Sequence, residues 1–151
     1  MRYLIMALIA LSLAACTNGG GLAPGLTARM DAPGAQLDRT EAINIVNQFR
    51  TSENAAPLKL TATLNDLAQS LAEQYARTDT APKRPQQAAA MRVSAGYANF
   101  AETFSGWRAA NSEASVLADA GYNSAGLGVA YSASSTYGVY WVLLLAPNPA
   151  Q

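Results

Sequence analysis

Gly126-Leu127-Gly128-Val129-Ala130-Tyr131 and, after a small polar connection, Tyr137-Gly138-Val139-Tyr140-Trp141-Val142-Leu143-Leu144-Leu145 are the stretches that decide the fold. Both alternate with the period of two expected of strands. In the first run Leu127, Val129 and Tyr131 share one face, and Gly126, Gly128 and Ala130 share the other. In the second, Val139, Trp141, Leu143 and Leu145 line up in the same way. Ser132-Ala133-Ser134-Ser135-Thr136 between them has the composition of a hairpin connection. Upstream, Phe104-Ser105-Gly106-Trp107-Arg108 carries the other of the two tryptophans in a segment with helical spacing. Large aromatics bury the most area per residue, so Trp107 and Trp141 are the expected anchors of one core, with a helix docked on an antiparallel hairpin.

Working outward, Asp38 and Glu41 form a capping pair that opens a helix with Ala42, Ile45, Val46 and Phe49 on one face, and Asn44, Gln48 and Arg50 away from it. Asn54 to Pro57 ends it. A second helix follows Thr61 or Thr63, with Leu64, Leu67, Ala68, Leu71, Ala72, Tyr75 and Ala76 in an unbroken i, i+3, i+4 stripe. That stripe reads as core rather than as a cofactor-binding face. Ala88 to Val93 fits either an edge strand or a helical turn. A third helix spans about Ala98 to Ala110, with Asn99 and Glu102 as its capping box. Ser112 is positioned to cap a short fourth helix through Leu117. The expected class is α+β, with three to four helices around a small, mostly antiparallel sheet.

Composition narrows the chemistry. The 151 residues include no histidine, one cysteine, and ten basic against ten acidic side chains. Balanced charge without a basic cluster gives no reason to expect a nucleic-acid partner. The missing histidine removes the commonest metal ligand and the side chain that titrates near neutrality. A single cysteine precludes an intrachain disulfide.

That cysteine has a specific setting. Arg2 gives a short positive start, and Leu4 to Leu13 is an apolar run too short to span a bilayer. Leu13-Ala14-Ala15-Cys16 resembles the lipobox of bacterial lipoproteins, in which the cysteine is lipidated and becomes the mature N-terminus. The resemblance implies a signal peptide over residues 1–15 and a lipid on Cys16. Thr17 rather than aspartate after the cysteine implies the outer membrane. Residues 17–37, rich in Gly, Ala and Pro, are expected to be a flexible tether. The domain is expected over 38–146, followed by a short tail over 147–151.

The order of motifs resembles the CAP superfamily, also called SCP or PR-1-like, in its small bacterial form. The features that carry the likeness are two helices separated by Pro57-Leu58, then Ser94-Ala95-Gly96-Tyr97, the Phe-Ser-Gly-Trp-Arg helix, the Gly-Leu-Gly strand and the Tyr-Gly-Val-Tyr-Trp strand. It covers roughly Asp38 to Ala146 and implies a three-layer α-β-α sandwich. CAP domains typically set two histidines and one or two glutamates around a central cavity that can hold a divalent metal. Here the position nearest the first histidine is Lys83, the family's Glu-Asn falls on Met91 and Arg92, and the second histidine falls on Glu113. Even the serine that follows the helix tryptophan is Ala110. The resemblance therefore implies a degenerate cavity with no metal and no cofactor, closed in part by Met91, with Arg92 and Glu113 meeting at its rim.

Other chemistry finds little to work with. Glu102 and Glu113 are eleven positions apart, about 16 Å along a continuous helix, wider than the carboxylate spacing of glycosidases. A Ser-Lys pair has only Lys59 and Lys83 to draw on, both at loops. The expected function is a non-catalytic envelope lipoprotein. It would be bound to the membrane through its lipid, with an envelope protein, peptidoglycan or a lipid as partner. The alternatives are a metal-independent hydrolase-like enzyme of the same superfamily, and a domain kept for surface display alone. A closed apolar centre beneath the third helix favours binding; an open cleft with converging polar groups favours the enzyme.

Overall fold

The computed structural model describes residues 21–147. In chain order the elements are α1 (Pro24–Thr27), α2 (Arg39–Ser52), β1 (Lys59–Leu60), α3 (Ala62–Thr78), β2 (Ala90–Ala95), α4 (Phe100–Ala109), α5 (Asn111–Leu117), β3 (Ser124–Tyr131) and β4 (Val139–Ala146). The sheet runs β1-β3-β4-β2. Its centre is the hairpin read from the sequence: β3 and β4 pair antiparallel, with Leu127 opposite Leu143, Val129 opposite Trp141 and Tyr131 opposite Val139. β2 joins β4 antiparallel, so the ambiguous stretch before Ser94 is an edge strand. β1 adds two residues parallel to the start of β3.

Alternation divides the sheet between two helical layers. Leu127, Trp141, Leu143 and Leu145 face a core built with Ile43 and Val46 of α2, Phe100, Phe104 and Trp107 of α4, and Leu117 of α5. Val142, Leu144 and Ala146 face α3 through Leu64, Ala68 and Ala72. The result is the α-β-α sandwich expected. Both tryptophans enter the first core, with Phe100 between them at 6.1 Å from the Trp107 ring and 5.7 Å from the Trp141 ring. On the α3 side the contact is backbone to backbone. A Cβ on Gly126 would lie 2.1 Å from the carbonyl of Leu64, and one on Gly128 would lie 2.4 Å from that of Ala68. Glycine on one face of β3 and alanine on the facing stripe of α3 are what let this long helix sit directly on the strand.

The helix starts follow the sequence. Asp38 accepts from the Glu41 amide at 2.9 Å, Thr61 from Leu64 at 3.3 Å, and Asn99 from Glu102 at 3.0 Å. Each satisfies one amide that has no partner within its helix. The short helix α5 instead follows directly from α4, with Ala110 rather than Ser112 at its N-cap.

Two further expectations need correction. Arg50 does not point away from the core; it is fully buried. Its guanidinium donates to the carbonyls of Ala56 at 2.8 Å, Leu117 at 2.6 Å, Asp119 at 3.0 Å and Tyr122 at 2.8 Å. A long stem and five donors let it cross the core layer and satisfy the end of α5 and the approach to β3. Burial pushes its pKa down, opposed by the charge of Asp119. The second correction concerns the expected tether, whose residues 22–37 are in part packed on the domain. Leu26 and Met30 are buried in the first core, the Met30 amide donates to Ala98 at 2.7 Å, and the Gly25 amide donates to Glu41 at 2.6 Å. Two isolated apolar side chains are enough to hold such a segment, although they leave no periodic signal.

Candidate functional site

The sheet's two edges are closed by side chains. Beyond β1, the outward groups of β3 are met by α2 and α3. Asn65 accepts from the Leu127 amide at 3.0 Å, Arg39 donates to the Leu127 carbonyl at 2.6 Å, and the Gln69 amide group bonds Val129 at both its N–H (3.4 Å) and C=O (2.9 Å). Gln69 thus acts as a one-residue strand. On the opposite edge, Trp107 donates to the Val93 carbonyl at 3.2 Å and Arg92 to the Met91 carbonyl at 2.8 Å. These are ways of blunting an edge against pairing with another chain.

The four positions singled out from the family pattern lie in the loop after α3, on the two faces of β2 and on α5. Lys83 is exposed in the loop after α3. Met91 and Arg92 are successive residues of β2 and so face opposite layers; Met91 is half-buried against the α3 cluster. Arg92 folds back onto the strand edge, and its Nε is buried without a hydrogen-bond partner. Glu113 is half-buried on α5. Arg92 and Glu113 form no ion pair: among the described residues the ion pair is Arg29 with Asp31. Glu102 is an exposed cap residue whose carboxylate accepts from the Ala98 amide at 3.3 Å.

Polar groups converge elsewhere, at the tip of the β3–β4 hairpin, a feature the sequence reading did not single out. Asp79, at φ +50° after α3, accepts from the Tyr140 hydroxyl and from the Thr136 amide and hydroxyl, the last two at 3.1 Å. The Tyr140 hydroxyl, assisted by the Thr136 amide, holds the Asp79 carboxyl below its ordinary value. Tyr140 also packs edge-on to Tyr75 at 4.7 Å and to Tyr137 at 6.3 Å. Burial, then the neighbouring Tyr140, pushes the Tyr75 hydroxyl up. The Tyr-Ser-Ala-Ser-Ser-Thr-Tyr-Gly composition of 131–138 was the available signal. At the far end of the sheet a cleft of about 770 Å³ lies between the start of α3 and the loop before β2. Arg84, Thr61, Gln86 and Ser124 line it without any carboxylate.

The sequence profile of the cysteine-rich secretory protein family, CAP, matches residues 43–145. The chain belongs to the CAP family. No curated protein sequence matches it. Among solved structures, MpPR-1i is similar with 18% identity and a TM-score of 0.60, covering 77% of this chain and 94% of that one. An outer surface protein from Borrelia burgdorferi follows with 15% identity and a TM-score of 0.59, over 75% of this chain and 97% of its own. An extracellular SCP-domain protein from Bacillus anthracis str. Ames has 13% identity and a TM-score of 0.57, over 70% of this chain and 39% of its own. Identities this low speak to the fold alone.

The CAP fold brings with it the question of a metal. Divalent ions of the zinc type take imidazole, thiolate or carboxylate from several converging side chains. Here the corresponding positions offer an ammonium, a thioether, a guanidinium and one carboxylate, and Met91 and Arg92 face opposite sides of the sheet. Among the described residues no three Cys, Asp or Glu side chains come together. The residues present do not fit such a site.

Proposed function

We propose that this protein is an envelope lipoprotein, anchored at the outer membrane through a lipid on Cys16, whose CAP domain works as a non-catalytic binding module. The observation that carries this reading is the closed sheet face beneath α4. Phe100, Phe104, Trp107, Leu127, Trp141 and Leu143 fill it, each at most 3% exposed. Metal-assisted hydrolysis needs converging ligands and room for water and substrate; binding needs only a rigid surface. An extracytoplasmic setting is supported by the relatives named as an outer surface protein and an extracellular protein. The anchor also sets a distance. Leu26, the first buried core residue among the described residues, is ten positions after Cys16 (26 − 16), so the chain between them spans at most about 35 Å. The domain then works close to the membrane surface.

The test is intact-mass analysis and membrane fractionation of the wild type and of Cys16→Ser. The wild type should carry lipid on a cleaved N-terminus and fractionate with outer membranes, while Cys16→Ser remains an unprocessed or mislocalised precursor. Normal maturation and outer-membrane association of Cys16→Ser would overturn the lipoprotein reading.

A further inference from the structure

Five of the chain's seven tyrosines, Tyr75, Tyr97, Tyr131, Tyr137 and Tyr140, belong to the strands, loops and helix end around one end of the sheet. Two of them are open to solvent, Tyr97 at 41% and Tyr137 at 56%, although both are large and largely apolar. Gly96 separates them. Tyr97 follows it in the chain, and the Tyr137 ring stands 3.9 Å from where a Gly96 Cβ would be. Gly96 has φ +91°, a conformation that L side chains rarely adopt, so the backbone beside the Tyr137 ring is bare. Neither ring is loose. Tyr97 lies across α4, its hydroxyl 3.0 Å from where a Gly106 Cβ would be. The Tyr137 amide donates to the Tyr140 hydroxyl at 3.1 Å, in the group tied to Asp79. The hairpin tip is further ordered by Ser135, whose hydroxyl donates to the Ser132 carbonyl at 2.7 Å.

We infer that Tyr97 and Tyr137, with the hydroxyl-rich loop 132–136 and Asp79, form a binding face for a neutral glycan strand. The inference rests on the binding-module reading above and supplies its partner. The chemistry is that of a recognition surface: tyrosines give rigid, amphipathic contact area at low entropic cost, and serine and glycine give adaptable hydrogen bonding. Such loops on a rigid scaffold are where binding residues concentrate. Exposed aromatic rings near a bare glycine suit the C–H faces of pyranose units, while Ser132, Ser134 and Thr136 offer hydroxyls to exchange hydrogen bonds with the sugar. Charge selects among partners. Asp79 stands at the hairpin tip, and Glu102 lines the same shallow hollow as Tyr97. Arg29, which also feels the charge of Glu102, is paired with Asp31, so the surroundings of the face are net negative, which disfavours nucleic acid, anionic lipid and sulfated polymers.

The test uses full-length protein in detergent, titrated calorimetrically with the tetrasaccharide of N-acetylglucosamine, alongside co-sedimentation with purified, protein-free sacculi. Thermal unfolding verifies that each variant is folded. The wild type should bind saturably, Tyr137→Ala and Tyr97→Ala should each weaken binding by about tenfold, and Tyr137→Phe, which keeps the ring, should stay within about threefold. Heparin and phosphatidylglycerol vesicles should not compete. Absence of saturable sugar and sacculus binding, alanine variants that bind as well as wild type, or tyrosine-dependent capture of a protein without sugar binding would each overturn the inference. The Cys16→Ser localisation experiment is independent of these, so failure of the glycan face and failure of the anchor are separately visible.

Discussion

Gly128→Ala tests the close seating of α3 on β3. The added methyl would stand 2.4 Å from the carbonyl carbon and oxygen of Ala68 and 2.5 Å from the Gln69 nitrogen. Carbon contacts settle near 3.5–4.0 Å, so α3 must retreat by roughly 1 Å, and backbone cannot rotate aside as a side chain can. Overpacking of this kind costs about 1–3 kcal/mol. The retreat also pulls Gln69 and Asn65 away from Val129 and Leu127, where they bond at 2.9–3.4 Å. Loosening two such interactions adds roughly 1 kcal/mol each. The sum is about 3–5 kcal/mol, a large share of the stability of a domain this size, or a fall in Tm on the order of 10 °C. Urea and thermal unfolding measure it. Gly121→Ala is the control, because its methyl would meet little beyond the Asp119 carboxylate at 3.1 Å, and it should be close to neutral. A Gly128→Ala loss within about 0.5 kcal/mol, like an ordinary surface change, would refute the close-packing argument.

Arg50→Met should destabilise by about 2–3 kcal/mol, because it removes the donor from the buried Leu117 carbonyl and from the part-buried carbonyls of Ala56, Asp119 and Tyr122. A loss below about 1 kcal/mol by urea unfolding would show that water replaces the guanidinium. Asp79 has its folded pKa depressed, chiefly by the Tyr140 hydroxyl. Its contribution is therefore complete above the ordinary carboxylate value of 3.8 and is lost as pH falls through the lower folded value. Tm curves of wild type and Asp79→Asn should accordingly converge as pH drops below about 4; parallel curves down to pH 2 would contradict the clasp.

The parts of the fold legible in the sequence are those fixed by local chemistry. The alternation of 126–131 and 139–145 marks the sheet faces, the alanine stripe of α3 meets the glycines of β3, and Asp38, Thr61 and Asn99 cap the helices their spacing indicates. What was not legible depends on distant partners. Arg50 looks like a solvated helix residue until the carbonyls near 117–122 are folded beside it. Leu26 and Met30 are lone apolar residues in a glycine- and proline-rich segment, invisible to any periodicity. Asp79 and Thr136 are 57 positions apart and meet because the hairpin bends back over the end of α3. The family pattern puts Met91 and Arg92 side by side on one short segment. Their successive positions on a strand send them to opposite layers, which spacing alone does not reveal until the segment is known to be extended.

On the function proposed above, this CAP domain holds a packed centre in place of a ligand-lined cavity and works by binding. Calorimetric titration of the full-length protein with zinc at neutral pH decides between that and a metal-dependent site. The donor set at Lys83, Met91, Arg92 and Glu113 predicts no saturable site of micromolar affinity or better. A stoichiometric, tight zinc site abolished by Glu113→Gln would contradict the account and return the enzyme reading to the front.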